Sequence, residues 1–302
     1  MSRVLLARGA SGEIVRALQS QLGFTGASLS SVYNTETFVA VSKFQKSQNL
    51  PQTGAVDSET WKLIMMIEKP TVEARILQVT GSFEGHGFTL AQGNYDGAGI
   101  TWGIIGFTLK GGELGGIIQE IQLQNPDLVQ QAFGTNTVQL MDMLAMPWKK
   151  QEEFANAQSL GANKVRLAEP WRTSFRVFGE FPEVQAAQLA RSNKNYYQPA
   201  LAAAMTRGLK TELGIALMFD IHVQNGGISA AAQKRINDSV AAHPIASEQD
   251  LRILISHAVA DSARVQYRDD VLSRKLTMAT GTGKVHGGMY MLSNWGLDEF
   301  VA

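Results

Sequence analysis

The chain has 302 residues, enough for two domains with at least one sizeable core. Its 27 basic and 27 acidic side chains give no net charge, so no overall electrostatic attraction to nucleic acid or anionic membranes is expected. A strongly polycationic substrate is also disfavoured, because it would be bound better by an acidic protein. The sequence contains no cysteine, so disulfides, thiolate zinc sites and cysteine nucleophiles are excluded.

The first predicted elements are three short helices within residues 9–67. The apolar spacing predicts a first helix from about Ser11, a second from about Thr35 and a third from about Asp57. Their inward faces are predicted to consist of apolar and aromatic side chains: Ile14, Val15, Leu18, Leu22, Phe38, Val41, Phe44, Trp61 and Ile64.

The first two helices share an internal echo, an apolar pair followed by a glutamine: Val15-xx-Leu18-Gln19 and Val41-xx-Phe44-Gln45. With the G-x-V and T-W-xx-I segments that follow, this stretch resembles the widespread peptidoglycan-binding domain of three short helices. Residues 31–35 depart from that family's Asp-Gly-x-Phe-Gly turn. We predict a peptidoglycan-binding domain over 1–67, joined semi-rigidly to a second domain over 72–302. A helical bundle without glycan affinity is the alternative.

The second domain is predicted to be mainly helical, with one small sheet. A helix over 72–83 offers Ile76, Leu77 and Val79 to the core. The glycine-, threonine- and β-branched-rich stretch 87–110 predicts a β-hairpin or small sheet that turns at 94–99. Further helices are predicted over 113–124, 126–133, 135–145, 149–160, 183–191, 199–223, 229–242 and 247–274, with a loop over 281–288.

Two carboxylates flank the start of the predicted sheet. Glu84 follows Phe83 at the end of a helix, and Phe83 and Phe88 could desolvate its carboxyl as a general acid requires. Asp96 lies in the glycine-rich turn. Carboxylates that face each other across a cleft are what an inverting glycosidase needs. Taken singly, Glu84 fits an ordinary surface glutamate better, and Asp96 fits an ordinary turn aspartate better.

The segment that opens at Asp96, DGAGITWGIIGF, matches nine of twelve positions of D-G-R-G-Y-T-x-G-I-I-G-F. It resembles the signature of family 46 glycoside hydrolases, the chitosanases. The resemblance implies a lysozyme-like α+β catalytic domain in which Asp96 is the general base and Thr101 orients the attacking water. It implies Glu84 as the general acid, and Glu113 as a substrate contact because its segment is similar to the family's G-D-M/L run.

Weaker similarity continues to about residue 275. The run Tyr196-Tyr197-Gln198-Pro199-Ala200 resembles the family's Y-F-x-P-A. We interpret Asp220, in a segment similar to a buried Tyr-Asp, and Arg264, in an S-R-V-like segment, as internal polar anchors. The predicted substrate-binding residues are Glu113, His86, Tyr95 and Tyr197, although His86 is equally typical of an ordinary loop.

Two features favour peptidoglycan over chitosan as the substrate. The chain is neutral, and Gln92 stands where the family has an acidic residue before the base. We therefore expect inverting, muramidase-type cleavage of the glycan strand by an enzyme that resembles modular phage endolysins. The alternatives are a chitosanase, a lytic transglycosylase, a non-enzymatic wall-binding protein and a secreted toxin.

The N-terminus lacks the apolar core of a signal peptide, so we expect synthesis in a bacterial cytoplasm and release to periplasmic peptidoglycan at lysis. The five histidines show no metal-ligand spacing, and we expect no metal and no cofactor. The expected partners are peptidoglycan glycan strands, with no nucleic acid and no membrane insertion. We expect a monomer.

Overall fold

The computed structural model describes residues 3–84 and 87–302, with Glu84 described by its backbone alone. Contacts between Cα atoms divide the chain into two compact units. The first unit contains Met1–Phe83 and Tyr196–Ala302, and the second contains Glu84–Asn195. The N-terminal helices thus share a unit with the C-terminal third of the chain, and the predicted domain limits of 1–67 and 72–302 stay a prediction.

The elements of the described chain are mainly helical. The helices are α1 (Glu13–Gln21), α2 (Thr35–Ser47), α3 (Ser58–Met65), α4 (Val72–Glu84), α5 (Glu113–Gln124), α6 (Pro126–Phe133), α7 (Thr137–Ala145), α8 (Trp148–Ala157), α9 (Trp171–Glu180), α10 (Pro182–Ser192), α11 (Gln198–Thr206), α12 (Glu212–Asn225), α13 (Ala230–Ala242), α14 (Glu248–Asp261) and α15 (Arg268–Thr280). The strands are β1 (Val4–Leu6), β2 (Val56–Asp57), β3 (Ala91–Gln92), β4 (Thr101–Trp102), β5 (Phe107–Thr108), β6 (Ser159–Leu160), β7 (Arg166–Leu167), β8 (Thr282–Val285) and β9 (Gly288–Met291). Among the described residues, no helix is long and apolar enough to span a bilayer.

The three predicted N-terminal helices are present as α1, α2 and α3. Side-chain caps begin two of them: Asn34 accepts a hydrogen bond from the backbone of Thr37, and Asp57 accepts one from Thr60. Strand β1 pairs antiparallel with β2 and closes the module. Local capping and the apolar spacing therefore determine where these helices begin.

The inward face of α2 differs from the prediction. Thr37, Val41 and Gln45 are buried at four-residue spacing, whereas Phe38 and Phe44 are only half-buried. Residues four apart share one side of a helix, so the buried row leaves both phenylalanines at its margins. The core also contains the predicted side chains of α1 and α3 that are buried: Val15, Leu18, Trp61 and Ile64.

The two glutamines of the internal echo, Gln19 and Gln45, are buried and hold loops in place. Gln19 Nε2 donates to the Val32 carbonyl at 2.9 Å, and Gln19 Oε1 accepts from the backbone N–H of Ser31 at 3.1 Å. Gln45 Nε2 donates to the Ala55 carbonyl at 2.8 Å, and its Oε1 accepts from Gly54 N at 2.9 Å. The two glutamines thus play the same role. Each carboxamide bonds to one backbone N–H and one carbonyl of a loop, groups that lie outside the helices and named strands.

Two long helices predicted in the C-terminal region are each divided in the structure. The predicted helix over 199–223 is α11 and α12, separated by a turn in which Gly208 has φ 73°. The predicted helix over 247–274 is α14 and α15, separated at residues 262–267. Helix α12 is buried on all sides along most of its length, as its apolar composition predicts.

The C-terminal tail forms a β-hairpin where a loop was predicted. Strands β8 and β9 pair antiparallel and are joined by the two-residue turn His286-Gly287. Both turn residues have positive φ, 47° and 86°. Two-residue hairpin turns commonly require this conformation, and glycine accommodates it. The prediction failed because the glycines were taken as a sign of irregular chain.

The second unit contains the predicted small sheet, of order β3–β4–β5. Its strands are only two residues each, and they pack on helices around Trp102. The Trp102 indole donates to the carbonyl of Phe175 at 3.0 Å and stacks on Phe178 with ring centroids 5.5 Å apart. Both phenylalanines lie on α9, a helix that the sequence reading missed.

Candidate active site

The loop that joins β3 to β4 carries Asp96 at its exposed tip. Asp96 Oδ1 accepts a hydrogen bond of 2.9 Å from Ala98 N, which fixes the direction of the carboxylate. Gly97 and Gly99 have φ of 82° and 83°, so the tight turn requires glycine at both positions. The predicted base is therefore held toward solvent by the local chain.

A buried asparagine supports this loop from below. Asn94 Oδ1 accepts from Gly99 N at 2.8 Å, and its Nδ2 donates to Asn156 Oδ1 at 3.0 Å. Ser159 Oγ accepts from Asn94 N at 2.8 Å. Sequence reasoning missed these supporting residues, because Asn156 and Ser159 are more than sixty positions from the loop and follow no motif.

Thr101 begins β4 and pairs with Gln92 on β3 and with Thr108 on β5. It is 3% exposed, and its Oγ1 has no hydrogen-bond partner among the described residues. An unsatisfied buried hydroxyl costs about 1–3 kcal/mol, so such a group is unusual without a role. Asp96 lies at the tip of the β3–β4 loop, and the Thr101 hydroxyl lies where that loop ends and β4 begins.

The predicted acid, Glu84, is the last residue of α4. Its side chain lies outside the described residues, as does His86, so both roles stay predictions. The preceding residue, Phe83, is 3% exposed and packs edge-on against Tyr290, with centroids 4.7 Å apart. The Arg274 guanidinium lies 5.3 Å from the centre of the Phe83 ring. The end of α4 is thus anchored by aromatic and cationic contacts.

A fully buried ion cluster lies in the same unit as Phe83. Asp220 accepts hydrogen bonds from Arg274 Nε at 2.9 Å and from Lys275 Nζ at 2.6 Å. Burial alone would raise the pKa of Asp220, but the two cations outweigh it and hold this pKa below its ordinary value. Asp220 is an internal anchor, as interpreted from the sequence, whereas Arg264 is exposed and that interpretation of it was wrong.

His286 joins the tail hairpin to the end of α4. Its Nδ1 is 2.8 Å from the carbonyl oxygen of Phe83, and its Nε2 is 2.7 Å from Asp270 Oδ1. Sequence analysis assigned no role to this histidine. Its local signal is the Gly287-Gly288 pair that follows it, of which Gly287 lies in the hairpin turn and Gly288 begins β9.

Glu113, the first residue of α5, is held inside its own unit. Its carboxylate accepts two hydrogen bonds from Asn195 Nδ2, at 2.9 and 3.1 Å, and pairs with Arg191 NH1 at 3.3 Å. Arg191 also reaches Glu120. A substrate group that contacts Glu113 would have to share it with these partners, and its binding role stays a prediction.

The two predicted tyrosine contacts differ in environment. Tyr95 is 44% exposed, beside Asp96 on the same loop. Tyr197 is half-buried, with its ring 6.2 Å from that of Phe219, and burial raises the pKa of its phenol. Tyr95 is open to a sugar ring, while the hydroxyl of Tyr197 stays protonated at neutral pH.

Comparison with known families decides the class of this site. A model described as glycosyl hydrolase family 46 matches residues 82–245, more than half of the chain. The chain belongs to glycosyl hydrolase family 46. A second model, described as a peptidoglycan binding domain, matches residues 11–64. The protein is therefore a glycoside hydrolase with an N-terminal module of the peptidoglycan-binding type, as the sequence motifs predict.

Solved structures of family 46 chitosanases share the fold. A Gynuella sunshinyii chitosanase in complex with chitotetraose is 17% identical with TM-score 0.51, covering 74% of this chain and 98% of its own. The native Bacillus subtilis enzyme is 22% identical with TM-score 0.50, covering 68% and 85%. A variant of that enzyme with six GlcN units is 19% identical with TM-score 0.53, covering 72% and 96%. These similarities confirm the mainly helical, lysozyme-like fold class. No curated protein sequence matches the chain.

Proposed function

We propose that this family 46 enzyme is an inverting, muramidase-type hydrolase of peptidoglycan glycan strands. The observation that carries the proposal is the loop on which an exposed carboxylate, Asp96, is followed by the buried hydroxyl of Thr101, which has no partner in the part of the chain that the structure describes. Such a hydroxyl can bind a water molecule, and such a carboxylate can deprotonate it.

In the proposed reaction Glu84 donates its proton to the glycosidic oxygen as the bond from that oxygen to the anomeric carbon breaks. Asp96 takes a proton from the water whose oxygen forms the new bond to the same carbon, and Thr101 orients that water. The two carboxyl groups would stand about 6.5–9.5 Å apart to leave room for the water. One proton leaves Glu84 and one arrives on Asp96, and exchange with solvent resets the pair. The configuration inverts because the water attacks the face opposite the departing oxygen.

Three features support peptidoglycan as the substrate. The module over residues 11–64 is of the peptidoglycan-binding type and would raise the local concentration of an insoluble wall polymer. The chain carries no net charge, and Gln92 contributes no negative charge beside the loop of the predicted base. A polycation would be bound better by an acidic cleft.

Chitosan is the second candidate substrate, because the similar solved structures are chitosanases, two of them with chitosan oligomers. Purified sacculi and chitosan, each digested by the full chain and analysed by mass spectrometry, separate the candidates. We expect muropeptides with hydrated reducing ends from sacculi and little product from chitosan. Activity on chitosan alone would remove the muramidase proposal, and anhydro products would indicate a lytic transglycosylase.

Glu84→Gln and Asp96→Asn test whether the protein acts through these carboxylates. We expect both variants to lose lysis and to keep sacculus binding through residues 1–67. Unchanged turnover of either variant would remove that residue from the mechanism. Binding without hydrolysis by the wild-type chain would favour a non-enzymatic wall-binding protein.

The biological setting is proposed from the architecture. We propose an endolysin, made in the host cytoplasm and released to the periplasmic wall at phage lysis, that acts as a monomer without nucleic acid. A toxin delivered between bacteria would use the same chemistry. A nearby holin gene would support the first setting, and an adjacent immunity or secretion gene would support the second.

A further inference from the structure

A groove lies within the first unit, and hydrogen bonds connect it to the end of α4. It has a volume of about 420 Å³, within the range of small-ligand sites. Its walls come from the ends of α12 and α14, the turn that follows α14 and the start of α15. The residues that matter here are Gln224, Asn225, Arg264, Tyr267 and Asp270.

Two hydrogen bonds through His286 link the groove to the Phe83 backbone at the end of α4. Asp270 Oδ1 is 2.7 Å from His286 Nε2, and His286 Nδ1 is 2.8 Å from the Phe83 carbonyl. Phe83 directly precedes Glu84 in the chain. Asp270 and His286 therefore connect the groove to the residue that precedes the predicted acid.

The charges in the groove are not equivalent. Asp270 is already engaged, because its Oδ2 accepts from Gln224 Nε2 at 3.1 Å and its Oδ1 contacts His286. The Arg264 side chain is exposed, and no acidic group pairs with it among the described residues. Tyr267 beside it is 53% exposed and offers an aromatic surface. The groove thus presents one uncommitted cation beside an aromatic ring.

We propose that this groove binds a muramyl residue, with Arg264 paired to a carboxylate of its lactyl group or peptide stem. Tyr267 packs against the sugar, as amphipathic aromatic rings do in polar sites. Arginine matches a carboxylate geometrically and stays charged at all working pH values. The inference rests on the proposed function and deepens it, because a glucosamine polymer carries ammonium groups and no carboxylate for Arg264.

The test compares three soluble glycan substrates with the full chain and its variants. The first keeps its peptide stems, the second has been stripped by an amidase so that the lactyl carboxylate is free, and the third is the stripped strand with its lactyl carboxyl converted to a methylamide. The Arg264→Gln variant removes the cation, and Arg264→Lys keeps it. Arg235→Gln, an exposed arginine on α13 outside the groove, is the matched control.

We expect Arg264→Gln to raise KM about five- to tenfold on substrates that carry the recognised carboxylate, with kcat unchanged, because a contact made equally in ground and transition states is lost. Arg264→Lys should recover much of this loss, and Arg235→Gln should match the wild type. An effect on the first substrate alone assigns the carboxylate to the stem, and an effect on the second assigns it to the lactyl group.

Equal effects of Arg264→Gln on the charged and methylamide strands, or no effect on any strand, would overturn the inference while the muramidase function stands. A wild-type enzyme that cleaves none of the three strands would remove the proposed function and this inference together. Circular dichroism of each variant confirms that the exposed substitution leaves the fold unchanged.

Discussion

The carboxylate of Asp220 accepts a hydrogen bond of 2.6 Å from the ammonium of Lys275, and both side chains are fully buried. Arg274 completes the cluster, and its guanidinium also lies over the Phe83 ring. Buried charges persist only when they are paired and hydrogen-bonded. The cluster therefore ties α12 to α15 and reaches the residue that precedes the predicted acid.

Asp220→Asn should destabilise the protein by about 3–5 kcal/mol, because it leaves two buried cations without their carboxylate. Urea unfolding of the variant and the wild type measures this difference. Asp238→Asn is the matched control, since Asp238 is exposed and pairs with Lys234 on the same helix. We expect the control to change stability by less than about 1 kcal/mol. Equal effects of the two substitutions would contradict this account of the cluster.

The same carboxylate predicts a loss of stability in acid. Its pKa is lower in the folded state than the ordinary value of 3.8, because Arg274 and Lys275 outweigh the effect of burial. The stabilisation is therefore complete above the unfolded-state pKa and is lost as the pH falls through the lower folded-state pKa. Unfolding free energies measured from pH 6 downward should show the gap between wild type and Asp220→Asn narrowing below pH 3.8. A stability difference that widens in acid would contradict a lowered folded-state pKa for Asp220.

Thr101→Val should separate catalysis from stability. Valine keeps the shape of threonine and removes a buried hydroxyl that has no partner among residues 3–83 and 87–302, so stability should be unchanged or slightly higher. Turnover of the glycan should fall on the order of a hundredfold because the attacking water loses its position. Thr101→Ser should recover part of the rate.

The matched control is Thr108→Val on the neighbouring strand, where we expect nearly normal turnover. Normal turnover in Thr101→Val would remove the residue from the site.

Gln45→Ala should unfold the N-terminal module locally. The substitution removes the acceptor of Gly54 N and leaves the Ala55 carbonyl with only the 3.2 Å bond from Thr53 Oγ1. A buried group left unpaired costs about 1–3 kcal/mol. We expect faster proteolysis within residues 35–65 and weaker sedimentation with sacculi. Gln48→Ala, three positions on and exposed, should leave both measurements unchanged. Unaltered proteolysis of Gln45→Ala would show that the carboxamide is dispensable.

Local features explain what could be predicted from the sequence. Asp96 and Thr101 stand in a contiguous signature, and its glycines mark the turn that exposes Asp96 and the strand that buries Thr101. The start of α3 was predictable because Asp57 caps it within three residues. Helix α12 was recognisable by its apolar composition, but Gly208 was not taken as the end of α11, so the break between the two helices was missed.

The contacts that escaped prediction join distant parts of the chain. Arg274 lies 54 residues from Asp220, and His286 lies 203 residues from Phe83. No sequence pattern marks either pair, because the partners are brought together by the packing of separate helices and a hairpin. The burial of Arg274 and Lys275 also contradicts the usual expectation that charged side chains are exposed, and their pairing with the buried carboxylate of Asp220 accounts for it.

The anomeric configuration of the first product tests the central claim most directly. Glycan strands of peptidoglycan are digested by the full chain, and proton NMR spectra are recorded before the new reducing end can mutarotate. Single displacement by water, with Glu84 as acid and Asp96 as base, predicts that the α-anomer forms first from a β-linked strand. Initial formation of the β-anomer, or of a product that lacks a reducing end, would contradict the account.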